Sequence, residues 1–153
     1  MKPGVIYVGY QGVGKSTVAK KHVSYIDLES GNFWVDGYRQ EDWYKVYCAI
    51  AKHLMQQGKN VFLSSHEVVR NELKRLGCPA TIICPSIELK DSWVERLRLR
   101  HAKSMEGKDF RAFKNAEDRY TENIQELLSD TYFDHLVIDS IPYDLYKLLT
   151  KGK

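Results

Sequence analysis

The sequence predicts an α/β fold built on a five-stranded parallel sheet, and two observations carry that prediction. Five short apolar runs recur along the 153 residues, and segments with helical periodicity separate them. Apolar runs without alternation are typical of strands that helices cover on both faces. The pattern therefore predicts one three-layer αβα domain over residues 1–153, without a repeat or linker that would mark a second domain.

Each predicted strand is a β-rich run followed by a turn signal or by polar residues. Residues 5–8 and 61–63 consist of aliphatic and aromatic side chains that favour strands. Residues 24–28 form a shorter run that ends in acidic residues. We expect the strands at about residues 4–9, 24–28, 60–64, 80–84 and 135–138.

The predicted helices rest on apolar spacing and on residues typical of helix ends. The clearest stripe contains Trp43, Tyr47, Ile50 and Leu54, and Gly58 follows it. Pro142 is expected in the first turn of the last helix, where its missing N–H is tolerated. Residues 105–114 are charged and contain glycine, so they are expected between helices. We expect helices at about residues 15–23, 41–57, 66–76, 89–104, 115–128 and 142–149.

Residues 9–16 (GYQGVGKS) match the phosphate-binding pattern G-x-x-x-x-G-K-[ST]. The match lies between a predicted strand and a predicted helix, where glycines can turn backbone N–H groups inward and the helix N-terminus adds positive charge. We expect Lys15 to reach the β- and γ-phosphates of ATP and Ser16 to ligate Mg²⁺. The residues expected to contact this cofactor are Gly9, Gln11, Gly12, Val13, Gly14, Lys15, Ser16 and Thr17.

Composition narrows the class of protein. A hydrophobic content of 43% with 28% charged residues is ordinary for a globular chain, and the net charge of +3 is too small to indicate a nucleic-acid binder. No apolar run has the length of a membrane span, and no signal-peptide pattern precedes the first strand. Three cysteines without C-x-x-C spacing fit a reducing compartment, so a cytoplasmic protein with no membrane partner is expected.

Charge is distributed unevenly along the chain. Residues 27–42 carry five acidic side chains and only Arg39 as a basic one, whereas residues 96–114 are strongly basic. Near a phosphate site, this distribution suggests a metal on one side and an anionic substrate on the other. Solvated helix faces explain such runs equally well.

With the loop and the run YIDLES at residues 25–30, the chain resembles small P-loop kinases of the nucleoside and nucleotide kinase group. Within that group it looks most like phage-type or bacterial putative nucleotide kinases. The resemblance extends over essentially the whole chain. It implies a sheet in the order 2-3-1-4-5, a substrate-binding segment after the second strand, and a basic lid at about residues 96–119.

Carboxylates at the end of the second strand are candidates for catalysis. Asp27 and Glu29 lie at the edge where open α/β sheets hold ligands, and alternation places both on one face. One could hold the water of a Mg²⁺ ion, with Asp27 as the metal candidate, and the other could accept a proton from an attacking hydroxyl. The third strand lacks the usual Walker B aspartate, so either Ser64 or Ser65 contacts a metal-bound water, or Asp27 and Glu29 take over that duty. His66 is a candidate for substrate binding or for helix capping.

Basic and aromatic residues complete the predicted site. Arg96 and Arg100 share a helix face and are expected to stabilise the transferring phosphoryl group. Phe33 and Tyr38 lie in the predicted acceptor segment, where aromatic faces could stack on a base. Further candidates for binding the acceptor are Arg39, Ser65, His66 and Arg70.

The sequence thus predicts an ATP- and Mg²⁺-dependent phosphotransferase that acts on a nucleoside monophosphate or a related nucleotide. A hydroxyl on a modified base in DNA is an alternative acceptor, although a long duplex would usually need a broader basic face. A regulatory nucleotide-binding NTPase is the alternative from another class. It is disfavoured because the chain lacks both a guanine-reading N/T-K-x-D motif and the Walker B acid.

Overall fold

The computed structural model describes residues 2–151. Short 3₁₀ helices cover Ser30–Phe33 and Ile87–Leu89. The five strands are β1 (Ile6–Gly9), β2 (Tyr25–Asp27), β3 (Asn60–Ser64), β4 (Thr81–Pro85) and β5 (Asp134–Ile138). The helices of this part of the chain are α1 (Lys15–Lys21), α2 (Trp43–Gln56), α3 (Glu67–Arg75), α4 (Lys90–Ser104), α5 (Gly107–Ser129) and α6 (Leu145–Thr150).

The five strands form one parallel sheet in the order β2-β3-β1-β4-β5, with helices flanking it. The predicted α/β class, strand number, parallel direction and strand order are confirmed. In the register, Gly9 of β1 lies beside Ser64 of β3, and Asp27 of β2 pairs with Phe62. The carboxyl ends of β1, β2 and β3 therefore meet at one edge of the sheet.

The core lies along β1, β3 and β4, whose apolar side chains are almost entirely buried. Trp93 of α4 and Tyr120 of α5 add two of its largest side chains, at 0% and 1% exposure. The three cysteines (Cys48, Cys78 and Cys84) are free and buried. Burial of such large aromatic side chains is worth about 1.5–3 kcal/mol each, so the contacts that α4 and α5 make with the sheet are a substantial part of the stability.

Two expectations about the helices are wrong. Residues 107–114 were expected between helices, but α5 begins at Gly107, where the buried carboxylate of Asp109 lies in the first turn and accepts from Ser104 Oγ. Pro142 was expected in the first turn of the last helix, but α6 begins at Leu145. There the Asp144 side chain accepts a hydrogen bond from the Lys147 N–H, so a side-chain cap replaces the expected proline start.

No helix in residues 2–151 combines the length and the apolar character that a membrane crossing requires.

Candidate functional site

The loop between β1 and α1 is a tight turn that depends on two glycines. Gly12 and Gly14 adopt φ values of 87° and 111°, a region that side chains with a Cβ rarely enter. A Cβ on Gly12 would also lie 3.0 Å from Leu97 of α4. The glycines of the motif thus serve both the turn and the close approach of α4.

Side chains from distant parts of the chain hold three consecutive carbonyl groups of this loop. Gln11 O accepts from Trp93 Nε1 at 2.9 Å, Gly12 O from Arg96 Nε at 2.9 Å, and Val13 O from Tyr143 Oη at 2.7 Å. The Tyr143 hydroxyl also accepts from Arg96 at 3.2 Å. These hydrogen bonds restrain the backbone of the loop from outside.

Lys15 is the charged residue at the end of the loop. Lys15 is partly exposed as a residue, and its ammonium group donates to Gly9 O at 3.0 Å. Burial lowers the pKa of Lys15, and the charge of Arg100 acts in the same direction, whereas Asp27 and Glu29 oppose the shift. The loop, the acidic pair and the basic segment therefore converge around this one ammonium group.

Asp27 and Glu29 form the acidic pair of the site. The negative charge of Glu29 lies close to Asp27, and Lys15 and Lys108 contribute positive charge nearby. Burial raises the pKa of Asp27 to about 6, and Glu29 reinforces the shift against the two lysines. A carboxylate with this pKa can hold or release a proton near neutral pH. Both predicted carboxylates thus lie near enough to Lys15 to act on its charge.

Ser64 and His66 occupy the end of β3, where the sequence lacks an acid. Ser64 Oγ lies 2.7 Å from His66 Nδ1, and the His66 ring meets the Trp43 ring edge-on at 5.6 Å. Desolvation and the charges of Arg39 and Lys15 lower the pKa of His66, which favours the neutral imidazole. His66 therefore lies close to the predicted site, at the border between the loop and the acceptor segment.

The fully buried Tyr47 hydroxyl connects the ends of β2 and β3. It donates to Leu28 O at 2.6 Å and accepts from the Ser64 N–H at 2.9 Å. Leu28 separates Asp27 from Glu29 in the chain, so this bridge fixes the backbone that carries the acidic pair.

We expect Tyr47→Phe to lower the free energy of unfolding by about 1–3 kcal/mol, because a buried N–H and a carbonyl lose their partner. Urea denaturation measures this change. Tyr38→Phe is the matched control, since Tyr38 is 67% exposed and its loss should leave stability within about 0.5 kcal/mol. Equal stability of the two variants would contradict the bridge.

Arg39 is the basic residue of the segment after β2, and two indole rings flank it. Its guanidinium carbon lies 3.9 Å from the Trp43 ring centroid and 4.9 Å from that of Trp34. Phe33 packs against Trp43, whereas Trp34 and Tyr38 are 51% and 67% exposed. The planar guanidinium of Arg39 thus lies against two indole rings, next to exposed aromatic side chains of the same segment.

Arg70 is engaged elsewhere. Its guanidinium is buried and pairs with Asp130 at 2.7 Å and with Glu126, while Nε donates to Ser65 O at 3.2 Å. These contacts tie α3 to the end of α5. The acceptor role predicted for Arg70 stays a prediction, but its contacts favour a structural one. For Ser65, the contact with Arg70 is through its backbone.

The basic segment at residues 96–119 covers the end of α4 and the first half of α5, which pack against each other. Arg100 Nε lies 3.1 Å from Asp109 Oδ1, and Asp109 is buried. Arg98 does not share the helix face of Arg96 and Arg100, and it pairs with Glu95 on the surface. From this segment, the charge of Arg100 lowers the pKa of Lys15, and the charge of Lys108 acts to lower the pKa of Asp27.

A cavity of about 320 Å³ opens beside the loop, between α1 and the first turn of α6 with the two residues before it. Its wall includes Arg96, and the rings of His22 and Tyr146 stack at 3.6 Å nearby. Sequence reasoning missed this cavity, because its two sides are more than a hundred residues apart. The lining residues are Val13, Gly14, Thr17, Val18, Lys21, His22, Arg96, Tyr143, Asp144, Leu145, Tyr146 and Lys147.

The remaining residues of the loop motif have distinct surroundings. Thr17 is exposed and lines the cavity, and Ser16 is half-buried in the first turn of α1. The Gln11 side chain points instead to α5, where its amide donates to Ala112 O at 3.1 Å and to Asn115 Oδ1 at 3.2 Å. Gln11 thus anchors the loop to the basic segment.

No known protein-family model matches this chain, and no curated protein matches it. The chemistry of the site is therefore the basis on which a function can be proposed for this chain.

Proposed function

We propose that this chain has a P-loop NTPase fold and transfers the γ-phosphoryl group of Mg·ATP to a nucleotide or nucleoside-like acceptor. The observation that carries the proposal is the anchored loop, whose carbonyls at Gln11, Gly12 and Val13 are engaged from outside. This arrangement leaves loop N–H groups for ligand oxygens, and Lys15 adds a positive charge at the same place. A triphosphate is the ligand that such a loop suits best.

The donor set beside the loop fits Mg²⁺. The Ser16 hydroxyl and the Asp27 carboxylate offer the oxygen ligands that this ion prefers, and Mg²⁺ commonly takes its other ligands from phosphates and water. No cluster of three or more His, Cys, Asp or Glu residues that could hold a metal occurs within residues 2–151, so the phosphates would have to complete the site. When bound, the ion would neutralise charge on the phosphates.

The remaining residues have roles that follow from their positions. The cavity beside the loop would receive the base of ATP, with Arg96 in its wall. Arg100 acts on Lys15 through space and would stabilise the phosphoryl group in flight. Glu29 would orient the acceptor, and the aromatic surface around Trp34 would contact its body. The nucleoside monophosphate expected from the sequence remains one candidate acceptor.

The test compares ATP consumption with and without an acceptor. A phosphotransferase consumes ATP when an acceptor is added, whereas a regulatory NTPase hydrolyses ATP alone. Within this test, we expect Glu29→Gln to lower the transfer rate by about 10²–10⁴-fold, because a proton acceptor is lost, while the Kd of Mg·ATP by calorimetry stays within a few-fold.

Glu41→Gln is the control, since Glu41 is an exposed acid of the same segment. Loss of ATP binding in the Glu29 variant would instead assign this carboxylate to the metal. Acceptor-independent hydrolysis by the wild type would contradict the phosphotransferase.

A further inference from the structure

Arg96 and Tyr143 line the cavity beside the phosphate-binding loop, and their polar groups are engaged with the loop itself. Arg96 Nε donates to Gly12 O at 2.9 Å, and Tyr143 Oη donates to Val13 O at 2.7 Å. The two side chains are also joined to each other, because Arg96 Nη2 donates to the Tyr143 hydroxyl at 3.2 Å. Arg96 and Tyr143 thus form one connected unit, here called the loop clamp.

Aromatic rings hold the guanidinium of the loop clamp in place. The Trp93 and Tyr143 rings are nearly parallel, at an angle of 12° with their centroids 6.2 Å apart. The Arg96 guanidinium carbon lies 5.1 Å from the Trp93 centroid and 5.2 Å from the Tyr143 centroid. Trp93 is fully buried, which fixes one side of this arrangement. A guanidinium that lies against rings and donates from two nitrogens is a planar fork, and a lysine ammonium cannot reproduce it.

The rigidity of the peptide group carries the effect of the loop clamp to the other side of the loop. In a trans peptide, the carbonyl of one residue and the N–H of the next point in opposite directions. The hydrogen bond from Tyr143 to Val13 O therefore fixes the direction of the Gly14 N–H. Gly14 needs such a restraint from outside, because a glycine at a φ of 111° has wide conformational freedom.

The preceding peptide group is held at both of its polar atoms. Arg96 donates to Gly12 O, and the N–H of the same peptide, which belongs to Val13, donates to Tyr10 O at 3.3 Å. Arg96 thus completes a closed turn, and its second nitrogen positions the Tyr143 hydroxyl. Burial raises the pKa of Tyr143 to about 12, so the hydroxyl keeps its proton and remains a donor to Val13 O.

We infer that Arg96 and Tyr143 are positioning residues, which act on the triphosphate of Mg·ATP through the loop backbone and not by contact with the transferring phosphoryl group. This role rests on the proposed function. It differs from the role expected for Arg96 from the sequence, which grouped this residue with Arg100. A ligand that has phosphates but no base should therefore depend on the loop clamp as strongly as ATP does.

Calorimetric titration of Mg·ATP and of Mg·tripolyphosphate, which lacks a base and a sugar, tests this role. Tyr143→Phe removes the hydroxyl and keeps the ring that stacks on Trp93 and lines the cavity. We expect the variant to raise the Kd of both ligands by the same factor of about 5–30, because binding must then order the backbone of one more residue. Calorimetry also returns the stoichiometry, so an unfolded fraction lowers that number rather than the affinity.

Tyr132→Phe is the matched control for the lost hydroxyl. Tyr132 is 49% exposed and lies outside the loop, so both Kd values should stay within about twofold of the wild type.

The outcomes of the titrations separate the possible roles of Tyr143. A raised Kd for Mg·ATP alone would assign Tyr143 to the base and overturn the positioning role. Unchanged Kd values for both ligands would overturn it as well, because the loop clamp would then only stabilise the fold. Binding of Mg·ATP but not of Mg·tripolyphosphate by the wild type would also count against it. Failure of the wild type to bind either ligand would refute the proposed function itself.

A second pair of variants tests Arg96. Arg96→Lys keeps the positive charge but loses the fork that serves Gly12 O and the Tyr143 hydroxyl together. It should raise both Kd values by a factor similar to that of Tyr143→Phe, and the double variant should show less than the product of the two factors. Arg98→Lys is the control, since Arg98 pairs with Glu95 on the surface of the same helix. Wild-type Kd values after Arg96→Lys, or fully multiplicative effects in the double variant, would overturn the loop clamp.

Discussion

Replacing Lys15 with alanine is expected to lower kcat/KM for Mg·ATP by about 10²–10³-fold, since it removes a positioned donor from a partly desolvated site. The ammonium donates to Gly9 O at 3.0 Å and balances Asp27 and Glu29. Without it, the two carboxylates repel the incoming phosphates. Isothermal titration of Mg·ATP together with steady-state transfer rates measures both consequences.

Lys20→Ala is the matched control for this prediction. Lys20 lies on the same helix, is exposed, and forms no part of the loop. Its loss should leave the affinity for Mg·ATP within about twofold, as expected for a surface charge. Equal affinity of the Lys15 variant and the wild type would refute the triphosphate site and, with it, the proposed function.

The sheet could be predicted from the sequence because its information is local. Each strand is an apolar run that can be recognised without the rest of the chain. The strand order was expected from the resemblance to P-loop kinases. The strand predicted at residues 60–64 coincides with β3, and the helix predicted at residues 41–57 corresponds to α2. Apolar patterning in the sequence is therefore sufficient to locate these elements. The start of α5 was missed because its first turn depends on the contacts that Asp109 makes with Arg100 and Ser104, which lie in another helix.

The site could be predicted only in part, for the same physical reason. Lys15, Asp27 and Glu29 were expected together, and in the structure the charges of the two carboxylates act on Lys15. The loop anchors were not expected, because Trp93 lies 82 residues from its partner and Tyr143 lies 130 residues away. For Trp93, the single signal in the sequence is a tryptophan on an otherwise charged helix. No sequence signal marks Tyr143 as a residue that contacts the loop.

Replacing Arg70 with alanine is expected to lower the free energy of unfolding by about 3–5 kcal/mol, because it removes one partner of a buried ion pair. The Asp130 side chain is 5% exposed and would keep Lys74 as its remaining partner at 2.9 Å. Glu126, at 48% exposure, returns to water at little cost. Urea denaturation at neutral pH measures the loss.

The pH dependence of stability provides a second readout of the same cluster. Burial acts to raise the pKa of Asp130, but the hydrogen bonds and charges of Lys74 and Arg70 outweigh it and lower the pKa below 3.8. A depressed carboxyl pKa contributes stability that is present above the unfolded value and is lost as pH falls through the folded one. As pH falls below 3.8, Arg70→Ala should therefore lose less further stability than the wild type.

Arg98→Ala is the control, since Arg98 and Glu95 are both about half exposed and water screens the charge of their pair. Assayed well below its melting temperature, the Arg70 variant should keep the wild-type KM for the acceptor, because its guanidinium is buried against α5. A raised acceptor KM with unchanged stability would place Arg70 in the acceptor site after all. The two measurements thus separate a residue that holds α3 to α5 from one that binds substrate.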